Sequence, residues 1–136
     1  MKPRRVYLHM VHNDSSGGTK YIHHMCNLMR ERGLDATLVV PDGSPLYANW
    51  LIEPAPTITR SAMVARCTPE DIVIDFWNDV GTISTTQKLP ARVKIFCCGN
   101  SSFLTGPGLL GDDFLTRDMG YTHFWTAGES AKRQLE

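Results

Sequence analysis

Apolar and polar positions along this chain switch between two periods, and the switching predicts alternating strands and helices. Val6-Tyr7-Leu8-His9-Met10 is short and almost wholly apolar, as expected of a strand buried on both faces. A polar segment with two glycines follows, Asn13-Asp14-Ser15-Ser16-Gly17-Gly18. Beyond it Tyr21, Ile22, Met25, Leu28 and Met29 recur at helical spacing, which predicts one buried stripe. Ser15 or Ser16 suits the start of that helix, and Gly33 suits the position just past its end. Ala36-Thr37-Leu38-Val39-Val40 reads as a second buried strand, broken by Pro41-Asp42-Gly43. Strand, turn, helix and strand in this order make a βαβ unit.

The pattern weakens between residues 42 and 70. A short helix over Tyr47–Leu51, an edge strand around Thr57-Ile58-Thr59 and a helical turn from Ser61 to Ala65 are expected there, with Pro54 and Pro56 holding extended or turn backbone. Regularity returns in a strand within Pro69–Trp77. Thr82–Gln87 is a weak helix or loop, and Arg92–Cys98 is a further strand. A Gly/Pro-rich stretch, Thr105–Gly108, precedes a helix over Asp112–Met119, and Thr122–Thr126 is the last strand. Five or six strands alternating with helices predict an α/β fold: a Rossmann-like, doubly wound, mostly parallel sheet with helices on both faces, one domain over residues 1–136. A helix begun at Glu129–Ser130 has barely two turns before Glu136, so the chain reads as cut from something longer, or as a short frame that has lost its continuation.

Composition adds exclusions. The 136 residues are 42% hydrophobic and 21% charged, with 14 basic residues against 14 acidic ones, so no net field favours nucleic acid. Apolar runs fall far short of the roughly 20 residues that span a bilayer, although contact at a membrane surface stays open. The basic opening Met1-Lys2-Pro3-Arg4-Arg5 leads into a strand containing His9, not into a signal-peptide core. Cytoplasmic residence is the default expectation. Cys26, Cys67, Cys97 and Cys98 lack CxxC spacing and are expected to be reduced, buried thiols.

Candidate chemistry concentrates where strands end. Gly17 and Gly18 permit close backbone approach at a helix N-terminus, whose open N–H groups favour an anion. Lys20 in the first turn adds positive charge, Ser16 a hydroxyl, and His12 a polar group lining the same cleft. The plainer alternative is a tight strand-to-helix connection. Asp75 ends a buried strand and is followed by Trp77, Asn78 and Asp79, a set suited to hydrogen-bonding hydroxyls and stacking on a sugar ring. An Asx-rich loop beside a core tryptophan fits equally well. His9, His12, His23, His24 and Cys26 are dense, but no pair has the i, i+4 spacing of a helical zinc site, and no metal is expected. The chain lacks GxSxG, GxGxxG and GxxxxGK[ST], which argues against serine-hydrolase, dinucleotide and P-loop chemistry.

Three stretches carry a resemblance. Ser16-Gly17-Gly18 with the helix end Leu28-Met29-Arg30-Glu31-Arg32-Gly33-Leu34 and the strand after it, Asp71-Ile72-Val73-Ile74-Asp75, and Phe124-Trp125-Thr126-Ala127-Gly128-Glu129-Ser130-Ala131-Lys132 together resemble the N-terminal domain of GT-B glycosyltransferases, particularly the retaining, rhamnosyltransferase-like group. The resemblance implies an acceptor-side domain that faces a C-terminal donor domain, absent here, across a cleft. It further implies a sugar acceptor as partner and a nucleotide-sugar as co-substrate, with no cofactor bound by this domain alone and no turnover without its other half. The glycine turn would then lie near the donor diphosphate, where charge develops during transfer. The chain departs from the family after Val93–Cys98: many members carry a histidine there, whereas this chain reads Gly99-Asn100-Ser101, and Asn100 can hydrogen-bond but not titrate. The competing expectation is a non-enzymatic Rossmann-like module that binds a small ligand or a protein.

Overall fold

In the computed structural model, which describes residues 4–10, 17–44, 53–76, 80–98 and 120–126, the apolar runs become six strands of one parallel sheet. They are β1 (Arg5–His9), β2 (Asp35–Val40), β3 (Thr57–Thr59), β4 (Ile72–Asp75), β5 (Val93–Cys98) and β6 (His123–Thr126). Their spatial order is β3-β2-β1-β4-β5-β6, the doubly wound Rossmann arrangement. The chain builds outward from β1 to β3, then crosses back to lay β4 on the other side of β1. The order of the strands therefore reverses between β1 and β4, while all of them stay parallel.

Alternation of side chains sorts the residues onto two faces. Val6, Leu8, Met10, Ala36, Leu38, Val40, Ile74, Phe76 and Ile95 line one face and pack with Ile22 and Cys26 of helix α1 (Gly17–Glu31). Tyr7, Val39 and Val73 line the other face, under Met63 of α2 (Arg60–Arg66) and with Leu89 and Ala91 after α3 (Val80–Gln87). Register is shared across the centre: Leu8 lies opposite both Leu38 and Ile74. Both faces are covered, which is why β2 and β4 are nearly continuous apolar runs.

Helix α1 ends as its sequence requires. Gly33 has φ +88°, its N–H reaches Arg30 O at 3.0 Å, and Leu34 N–H reaches Met29 O at 3.0 Å, the paired bonds of a glycine C-terminal stop. Its buried stripe is rotated from the expected one. Tyr21 and Leu28 are exposed, whereas Thr19, Ile22, His23 and Cys26 face inward. The cause is local: the Ala55 N–H donates to His23 Nδ1 at 3.0 Å, so this polar side chain has a private partner inside. The Thr57–Thr59 edge strand is present, and the turn expected over Ser61–Ala65 is a helix over Arg60–Arg66. Residues 82–87, weakly patterned in sequence, belong to a helix over Val80–Gln87. The helices expected over Tyr47–Leu51, Asp112–Met119 and Glu129–Glu136, and the caps Ser15 and Ser16, lie outside the described residues.

Candidate functional site

The reversal of the sheet brings two polar residues together at the carboxyl ends of its central strands. His9 ends β1, Asp75 ends β4, and the two are direct neighbours in register. Both are fully buried. His9 Nδ1 lies 3.1 Å from Asp75 Oδ1, and the Arg60 Nε–H donates to His9 Nε2 at 2.9 Å. An arginine N–H can only donate, so Nε2 must present its lone pair. That pattern assigns His9 as the neutral tautomer with its proton on Nδ1, directed at the Asp75 carboxylate.

Three donors converge on Asp75. Besides His9, the Thr86 hydroxyl donates to Oδ1 at 2.9 Å and the Tyr121 hydroxyl donates to Oδ2. Thr86 comes from α3, and Tyr121 from the segment leading into β6, where its ring meets Phe96 edge to face at 5.4 Å. Burial, reinforced by the Asp75 charge, raises the Tyr121 pKa, so the phenol stays a neutral donor. On β5, Lys94 Nζ donates to Gln87 O at 3.2 Å, and burial lowers its pKa although Cys67 and then Asp75 act in the opposite direction.

Arg60 is the outward member of the cluster. It opens α2, and its Nη2 donates to Thr82 Oγ1 at 3.1 Å. Two features hold the start of that helix. Thr59 accepts the Ala62 N–H at 3.2 Å as N-cap, and Asp42 accepts both the Ser61 N–H, at 3.0 Å, and the Ser61 hydroxyl. Those Ser61 bonds, with the nearby Arg60 charge, lower the Asp42 pKa. A guanidinium is thus fixed at the carboxyl edge of the sheet, half-buried, by histidine on one side and threonine on the other.

The residues singled out by sequence fare differently. Gly17 and Gly18 form the first turn of α1, which follows the carboxyl end of β1, and Lys20 in that turn is exposed. Asp75 is at the site, but its carboxylate is turned inward and occupied by His9, Thr86 and Tyr121 rather than offered to the cleft. Ser16, His12, Trp77 and Asn100 lie outside the described residues. In the sequence His9 stands out only as a candidate metal ligand, and nothing there singles out Arg60, Thr82, Thr86 or Tyr121. One signal was available: two apolar strands that both end in an ionisable residue, in a topology that sets them side by side. Among the described residues no group of His, Cys, Asp and Glu is arranged to hold a metal ion, and no helix is long and apolar enough to cross a membrane. Comparison with protein-family models, with curated proteins and with solved structures returns no match.

Proposed function

We propose that this chain is the acceptor-side domain of a GT-B-type glycosyltransferase, holding a hydroxylated ligand at the carboxyl edge of β1 and β4. The observation that carries this reading is the placement of a fixed, half-buried Arg60 and the α1 N-terminus at the one edge where the sheet order reverses. Open α/β sheets bind ligands at that position. Backbone N–H groups at Gly17–Gly18 and the Arg60 guanidinium supply donors for a phosphate or for sugar hydroxyls. Asp75 acts as a positioning residue: it orients His9, which in turn orients Arg60. A donor domain brought against this edge would deliver the nucleotide-sugar, and the departing diphosphate would meet donors already in place.

A second reading has its own observation. The His9–Asp75–Thr86–Tyr121 group satisfies itself, as a purely structural polar core would, and this favours a non-enzymatic binding module.

Amide NMR of the full chain, titrated with monosaccharides and with nucleotide-sugars at millimolar concentration, separates the two. Glycosyl transfer predicts shifts clustered at Gly17–Lys20 and at the ends of β1 and β4. Absence of any saturable shift with either ligand class would sink the transferase reading. Gly17→Val should abolish the shifts at nearly unchanged Tm; collapse of the fold instead would make the glycine turn structural.

A further inference from the structure

The opposite end of the sheet holds a cavity with its own chemistry. It has a volume of about 310 Å3 and is lined by Arg5, Tyr7, Asp35, Thr37, Ile58 and Arg66. Arg5 and Asp35 are the first residues of β1 and β2, and Arg66 is the last residue of α2. The cavity therefore opens at the amino ends of the strands, roughly 13 Å along β1 from His9 at about 3.3 Å per residue. The volume is at the lower end of pockets that take small ligands, about 300–1,000 Å3.

Tyr7 is the informative residue. Its side chain is 2% exposed, yet its hydroxyl has no hydrogen-bond partner of normal geometry. Such groups are rare in folded proteins, and each calls for an explanation. The Arg5 side chain approaches the phenol and its pKa is raised, by this contact first and by Asp71 and Asp35 further away. A guanidinium has no lone pair to offer, so Arg5 leaves the phenol proton without an acceptor. Thr37 is the cross-strand neighbour of Tyr7, and Asp35 stands opposite Arg5 while also approaching Arg30 at 4.0 Å. The cavity thus sets two guanidiniums and a phenol proton against one carboxylate and one hydroxyl. Its donors outnumber its acceptors, and the phenol proton has none.

We propose that this cavity is a binding site for a small oxyanion, a phosphate or a carboxylate group, held by the Tyr7 hydroxyl and the guanidiniums of Arg5 and Arg66. Arginine forks match both groups in bidentate fashion, and the phenol supplies the third donor. The site is separate from the carboxyl-edge cluster, so it stands whether or not the chain handles sugars.

The test is an amide NMR titration of the full chain with inorganic phosphate and, separately, with sodium acetate, at constant ionic strength held by sodium chloride. Saturable shifts around Tyr7, Thr37 and Arg66 are expected with at least one of the two, and the one that binds identifies the group. Tyr7→Phe and Arg66→Gln should each weaken that binding by about tenfold or more, the loss of one charge-assisted hydrogen bond. Tyr7→Phe should leave the Tm without added anion unchanged or raised, because the buried phenol proton has no internal acceptor to lose. Three results would overturn the proposal: no saturable shift with either anion, undiminished affinity in both variants, or a Tyr7→Phe protein that melts lower without anion.

Discussion

Asp75 can sit at the centre of the sheet because donors from three separate segments reach its two oxygens. Removing one of them strands part of a buried carboxylate. Tyr121→Phe keeps the edge-to-face contact with Phe96 but deletes a bond to a charged group, and should cost about 1.5–3 kcal/mol in urea unfolding. Asp75→Asn should cost more, because its amide replaces an acceptor where a hydroxyl or an imidazole N–H still points. Equal stability of Asp75→Asn and wild type would mean that the cluster is not bonded as described. His23 makes a second prediction at this scale. Burial lowers its pKa below the ordinary histidine value, and Nδ1 accepts the Ala55 N–H. The unfolded chain therefore binds a proton at higher pH than the folded one, so stability is complete above the unfolded value, near 6.5, and declines as pH falls through it. Urea midpoints measured between pH 7.5 and 5.5 should fall on acidification, and His23→Gln, which keeps an acceptor but cannot titrate, should flatten the slope.

At the scale of elements, α1 shows how far periodicity can be trusted. The spacing of Tyr21, Ile22, Met25, Leu28 and Met29 locates the helix and roughly its inner face. It does not anticipate that His23 turns inward while Tyr21 and Leu28 turn out, since a hydropathy pattern carries no record of the Ala55 N–H that partners the imidazole. The two faces should respond differently to substitution. Tyr21→Lys and Leu28→Lys are expected within about 0.5 kcal/mol of wild type, whereas Ile22→Ala should cost about 2–5 kcal/mol. Thermal melts of the three variants check this, and a large loss at Tyr21 would restore the stripe read from sequence. The strands were more legible than the site they carry. Val6–His9 and Ile72–Asp75 announce themselves by composition. Arg60 and Tyr121, however, reach the cluster from residues 51 and 46 positions distant in sequence, and only the fold brings them there.

For the whole molecule, the strand order places β1 between β2 and β4, with β3 and β6 outermost. Amide exchange should follow that order. Protection is expected to be highest in β1 and β4 and lowest in β3, a three-residue strand bonded on one side only among the described residues. Exchange in β3 as slow as in β1 would indicate a further strand or partner on that edge. The overall class was readable from alternating runs because a parallel sheet buried on both faces leaves little choice of pattern. The crossing between β3 and β4, which decides where the strand order reverses, was not, because the stretch from 42 to 70 is weakly periodic and α2, the helix among its described residues, is only seven residues long.

The bond between His9 and Asp75 also has a consequence in time. The two residues are 66 positions apart, and during synthesis at about 5–20 residues per second Asp75 emerges roughly 3–13 s after His9. Strand β2 follows β1 by one helix and β4 comes later in the chain, so a β1–β2 pair formed before β4 is made would leave the other edge of β1 open. In such an interval the run Tyr7-Leu8-His9-Met10 would carry an imidazole that water can solvate among its apolar side chains. The group that later anchors the centre of the sheet would thus leave one face of the waiting strand less adhesive while its partner is still being made.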